Sequence, residues 1–193
     1  AIAGRWSAAP ENDKPVIRVV AAEALLEANR GEDERPLFNP IRLAEVDAIF
    51  RDGRIQAEGA LLLDAGARQL ARFIARHDVS QGSGAAEISA PNIMFGPELQ
   101  PYEITELARG IVENVRGPAG VSAGAAWTRE AITTQARVRL NGVSLSSATI
   151  PVIQNVTGEI NFDDLINMTT PPGQEVRVGV VNPGVAVQNG AVT

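Results

Sequence analysis

Apolar and polar residues alternate along most of the chain. In Arg54–Leu63, Ile55, Ala57, Leu61 and Leu63 fall in one phase, and Arg54, Gln56 and Glu58 begin the other. A period of two places such sets on opposite faces of a pleated strand. In Gln69–Val79, Ala71, Phe73, Ala75 and Val79 oppose Arg72, Arg76 and Asp78. Ala136, Val138 and Leu140 alternate with Arg137 and Arg139, and Val176, Val178 and Val180 recur within Glu175–Val181. Each reads as a half-buried strand of an antiparallel sheet. Ala21–Asn29 has helix-forming composition but follows the strand-like Val16–Val20, so helix and strand both stay open there, with strand the favoured reading. Val185–Thr193 alternates in the same way.

Turn chemistry separates these runs. Asp52-Gly53 between two alternating segments is a favoured hairpin connection. Gln81-Gly-Ser-Gly84 and Arg116-Gly-Pro118 read as further breaks. At Asn141-Gly142 the apolar phase moves from Val138 and Leu140 to Val143 and Leu145, which predicts a bulge or tight turn. A loose recurrence of glycine, around Gly53, Gly117, Gly158 and Gly190, reads as a series of hairpin tips feeding strands. Its spacing is too irregular for a solenoid.

Two segments carry a helical signal. From Pro101 to Val115, residues Ile104, Leu107, Ala108, Ile111, Val112 and Val115 make one stripe at helical spacing. Pro101 suits a first turn, and Glu103 and Glu106 suit its dipole. The sequence therefore predicts an amphipathic helix near Glu103–Val115 and a short helix at Asp163–Met168, ahead of Pro171-Pro172-Gly173. The expected fold is mainly β, a long curved antiparallel meander, rolled or groove-like, with these two helices.

Composition narrows the chemistry. The chain has 193 residues, no Cys and one His, so thiol nucleophiles, disulfides and multi-histidine metal centres are excluded. A net charge of −6 leaves no basic surplus for nucleic acid or for anionic headgroups. No apolar run approaches the roughly 20 residues of a membrane helix. Neither end resembles a natural terminus: the start lacks both Met and a signal peptide, and the last strand stops without a tail. The expectation is a piece of a longer chain.

Few constellations could carry catalysis. His77 and Asp78 are adjacent on a strand, face opposite ways and cannot form a dyad, so His77 reads as structural. Asp163 and Asp164 read as helix N-caps rather than metal ligands. The glycine-rich segments lack the Lys-Ser/Thr of a phosphate cradle. No catalytic residue, cofactor site or metal site is expected. What remains is aliphatic strand surface, with Val138, Leu140, Val176, Val178 and Val180 as candidate contacts for an apolar ligand.

Blocks in the C-terminal part are more specific. They are Pro91-Asn-Ile-Met-Phe-Gly-Pro-Glu-Leu-Gln-Pro101, Gly120-Val-Ser-Ala-Gly-Ala-Ala-Trp127, Val156-Thr-Gly-Glu-Ile-Asn-Phe-Asp-Asp-Leu165, Thr170-Pro-Pro-Gly-Gln174 and Val181-Asn-Pro-Gly184. In this order they resemble the C-terminal region of the YdbH family of AsmA-like envelope proteins. The resemblance is carried by about Gly53–Thr193, with 1–52 a weakly matched part of the same β-rich fragment. It implies a non-enzymatic segment of a periplasmic protein of Gram-negative bacteria, anchored to the inner membrane. It also implies a sheet groove that offers apolar surface to phospholipid chains moving between membranes. Implied partners are a phospholipid or other apolar ligand and the rest of the parent chain, and free strand edges could pair two fragments. The family's older label, dicarboxylate transport, implies an alternative: a small-molecule module in which pairs such as Arg137 and Arg139, or Arg72 and Arg76, meet carboxylates. A purely structural envelope domain is the third reading.

Overall fold

The computed structural model describes residues 2–11, 14–27, 38–63, 68–147, 152–182 and 187–192. They form eleven strands: β1 (Ile2–Glu11), β2 (Lys14–Leu26), β3 (Ile41–Arg51), β4 (Arg54–Leu63), β5 (Gln69–Asp78), β6 (Ser83–Phe95), β7 (Glu113–Trp127), β8 (Ile132–Ser146), β9 (Val152–Phe162), β10 (Val176–Asn182) and β11 (Val187–Val192). They lie in one open antiparallel sheet, in the order in which they occur in the chain. Alternating sequence favours this meander, in which each strand finds its partner in its chain neighbour, across tight turns in places and longer connections elsewhere. The Ala21–Asn29 strand is observed as far as Leu26, while Ala28 and Asn29 lie outside the described residues. So do Pro183–Ala186, which hold part of the Asn-Pro-Gly block and the start of the predicted last strand.

Two contact units are present: Ala1–Leu26, Pro40–Ala90 and Ser122–Gln135 form the first, and Glu27–Asn39, Pro91–Val121 and Ala136–Thr193 the second. In the first, Asp52 and Gly53 take left-handed φ values of 50° and 74° between paired Arg51 and Arg54. Those are the angles a two-residue hairpin needs. A bulge interrupts the β3–β4 register between Ala44 and Asp47, with Glu45 at φ 52°. The β5–β6 turn is tied by Asp78, whose carboxylate accepts from Ser80 Oγ (2.6 Å), Gln81 N (3.0 Å) and Arg54 Nε (3.4 Å). These bonds, that of Ser80 foremost, lower its pKa from 3.8 to about 2. The charged form therefore supports the fold above the ordinary carboxylate pKa, and that support disappears as pH falls from 3.8 through 2. Acid titration of the thermal midpoint is expected to fall across this window in the native chain and to flatten there in Asp78→Asn.

In the second unit, Leu99 (2% exposed), Val115 (4%), Ala119 (4%), Val143 (1%) and Val156 (5%) are core residues. Gln100 is the buried polar residue among them, 8% exposed. Its Nε2 donates to the carbonyls of Gly96 (2.6 Å) and Val115 (2.9 Å), and its Oε1 accepts from Val115 N (2.9 Å). Its own N–H is accepted by Glu103 Oε2 at 2.6 Å, closing a capping box on the single turn α1 (Pro101–Ile104).

The amphipathic helix near Glu103–Val115 does not form. Within this segment only α1 and a 3₁₀ turn, Glu106–Ala108, are helical, and Glu113 to Val115 already belong to β7. The backbone becomes extended at Thr105, and Gly110 turns left-handed at φ 79°. The stripe mixed turn residues, up to Val112, with the opening residues of β7. Asp163–Met168 is a hydrogen-bonded turn rather than a helix. It is closed by the Asp164–Thr169 bridge, with Met168 at φ 53°. Asp164 Oδ1 accepts from Ile166 N (2.7 Å) and Asn167 N (3.2 Å), which satisfies the turn locally. Gly117 lies inside β7, Gly158 inside β9 and Gly190 inside β11, so of the recurring glycines only Gly53 is a hairpin tip. Asn141-Gly142 is a bulge within β8, as its phase shift predicts, with Gly142 at φ 73°.

Candidate functional site

Strand register assembles the alternating residues into rows that cross the strands. In the first unit, Ile17, Phe50, Ile55, His77 and Gly84 stand side by side on β2 to β6. The next row on the same face is Trp6, Val19, Ala48, Ala57, Ala75 and Ala86. Beyond it come Gly59, Phe73 and Ile88. His77 is the one ionisable residue in these three rows. The opposite face carries Arg18 with Asp47 (Nε to Oδ1, 2.9 Å), Arg54 with Asp78, and Arg72 with Glu45 (3.8 Å). Arg18 holds the Asp47 carboxyl below its ordinary pKa.

The apolar face is only half buried. Ala48, Phe50, Ile55, Ala57, Phe73 and Ala75 keep intermediate exposure, Ile88 is 37% exposed and Trp6 75%. Two aromatic rings lie over glycines on it. A Cβ on Gly59 would stand 2.7 Å from Phe73 Cε1, and one on Gly84 2.5 Å from Trp127 Cζ2. Trp127 Nε1 donates to His77 Nδ1 at 3.2 Å, with the rings stacked at 6.0 Å between centroids. This is the structural role expected of His77, and Asp78 is engaged separately at its turn. Sequence reading missed Trp127 as its partner; the Gly-rich strand ending in Trp was the available signal.

In the second unit the candidate residues fall into similar rows. Val138 faces Ile160, and Leu140 faces Gly158, which faces Val176. Val143, Val156 and Val178 make the next row. Val138, Leu140 and Val176 are half buried, whereas Val178 is only 7% exposed and belongs to the core. Val180 keeps its strand's phase but stands opposite Gln154, beside the left-handed Asn155 (φ 56°). Of the arginine pairs weighed for carboxylate binding, Arg137 and Arg139 both reach Glu159, at 3.1 Å and 3.3 Å. Arg137 Nε also donates to Asn161 Oδ1 at 3.1 Å. An internal carboxylate thus occupies both guanidiniums.

The sequence model described as intermembrane phospholipid transport protein YdbH matches residues 3–193. The chain belongs to the YdbH-like family. The match reaches well before Gly53, so β1 to β3 share in it. No curated protein and no solved structure gives a match.

In this YdbH-like chain the specific blocks do structural work. Gln174 of the Pro-Pro-Gly-Gln block bonds the backbone of Asn161 twice. Its Oε1 accepts from Asn161 N, and its Nε2 donates to Asn161 O at 3.0 Å. A side chain thereby continues the β9 ladder just before β10 begins. Phe-Asp-Asp-Leu supplies the Asp164 turn, and Glu-Leu-Gln-Pro supplies Leu99 and Gln100. Among the described residues no group of three His, Asp or Glu could hold a metal, and no helix is long and apolar enough to cross a membrane.

Proposed function

We propose that this chain is a non-enzymatic segment of an intermembrane phospholipid-transport protein in the periplasm of Gram-negative bacteria. In this reading its parent is anchored to the inner membrane, and the sheet curves so that its half-buried aliphatic face forms a groove for acyl chains. The observation that carries the reading is the uncharged, uncovered face of the first unit, in a chain matched over 3–193 by a phospholipid-transport family. A sheet suits this task because its backbone groups bond each other and leave hydrocarbon in contact with side chains alone. Within the second unit, Val138, Leu140 and Val176 are the candidate contacts for an apolar ligand, with Val180 at the margin of that unit's rows. Val178 supports the row from within the core.

Native mass spectrometry tests this. The purified chain is expected to retain phospholipid. Leu140→Glu is expected to reduce bound lipid about tenfold or more, because hydrocarbon against a carboxylate is strongly unfavourable. Circular dichroism should remain that of the native sheet. A chain that binds a dicarboxylate stoichiometrically, and loses it in Arg137→Ala, would support the small-molecule reading instead.

A further inference from the structure

Resting on the lipid-contact reading, we infer that one acyl chain lies across the strands on the row Ala48, Ala57, Ala75 and Ala86. Its ester or phosphate oxygen accepts a hydrogen bond from His77 Nε2.

The row is a floor of methyl groups between two taller rows. Phe50, Ile55 and His77 stand on one side, and Phe73 and Ile88 on the other. Neighbouring strands are about 4.8 Å apart, so the four alanines span about 14 Å. Same-face rows are about 6.8 Å apart along the strands, which leaves one polymethylene chain's width between the walls. All four alanines keep intermediate exposure, so the strip is open to a ligand.

His77 sets the direction. Indole N–H only donates, so the bond from Trp127 fixes His77 Nδ1 as acceptor and puts the neutral ring's proton on Nε2. Among the described residues that N–H has no acceptor. It is a hydrogen-bond donor beside an apolar strip, and it complements an oxygen-bearing headgroup joined to a hydrocarbon chain. His77 lies on β5 and Trp127 on β7, so the head sits at the β5–β7 side. The chain then runs toward Ala48, Val19 and Trp6.

Tryptophan quenching by brominated phospholipid reads this arrangement. In Trp6→Phe, Trp127 reports alone. Vesicles of phosphatidylethanolamine and phosphatidylglycerol are brominated either near the ester or near the chain terminus. Near-ester bromine is expected to quench Trp127 at least twofold more than terminal bromine, and His77→Phe to remove that preference. Ala75→Leu and Ala57→Leu, which fill the floor, are expected to weaken quenching about tenfold. Ala85→Leu, on the opposite face, leaves it unchanged. Equal quenching by both lipids, or full binding in both floor variants, overturns this placement while the lipid-contact reading stands. Absence of bound phospholipid by native mass spectrometry overturns both.

Discussion

Replacing Gln100 by leucine is expected to lower the stability of the chain by about 2–4 kcal/mol, since each buried polar group left without a partner costs about 1–3 kcal/mol. Leucine fits the volume, but it abandons the N–H and C=O of Val115, while the carbonyl of Gly96 keeps its bond from Leu99 N. Those groups lie where β7 begins and where β6 has just ended, and water reaches them poorly because Gln100 is 8% exposed. Gln100→Glu separates geometry from chemistry. It keeps an acceptor for Val115 N but loses the donor to two carbonyls, so it is expected to be at least as harmful at neutral pH. Urea unfolding of the three proteins, read from the curves' midpoints at constant slope, measures the effect. A loss below about 1 kcal/mol in Gln100→Leu would show that the network is dispensable.

Gly84→Ala is the second large effect expected. The new methyl group would press on the carbonyl oxygen of Arg76 and come within 2.5 Å of Trp127 Cζ2. The backbone oxygen cannot swing aside, so the indole or the strand must move. Overpacking of this kind costs about 1–3 kcal/mol. Because Trp127 also donates to His77, its displacement breaks that hydrogen bond. In Trp6→Phe, emission from Trp127 should shift to the red on adding Gly84→Ala, alongside a lower unfolding midpoint. An unchanged spectrum with unchanged stability would mean that the ring does not rest on the glycine.

Local pattern was legible where it repeats with period two. Arg54–Leu63 appears as β4 with those bounds, and the Asp52-Gly53 turn and Asn141-Gly142 bulge are where the sequence puts them. The helical stripe failed because Ile104 to Val115 satisfies two periods in pieces. A short turn and a strand opening together imitate one helix face. Gly117 and Pro118 looked like a stop, yet a strand accommodates them, with Gly117 taking φ 113°. The candidate faces were half legible. Alternation identifies Val138, Leu140, Val176 and Val178 as companions, but their burial depends on rows across strands. The alanine strip is beyond reach of pattern alone, since Ala48, Ala57, Ala75 and Ala86 become neighbours only through three register choices and a bulge.

The sequential order of the strands has a consequence for how such a protein changes in size. Each inner strand pairs with the one before and the one after, so every pairing joins neighbours in the chain and loop closure costs little entropy. Gaining or losing one hairpin alters no connection elsewhere, and adding strands in pairs leaves every later strand running in its former direction. Capacity can therefore grow by duplication of hairpins, with the apolar side kept in phase by the two-residue period alone.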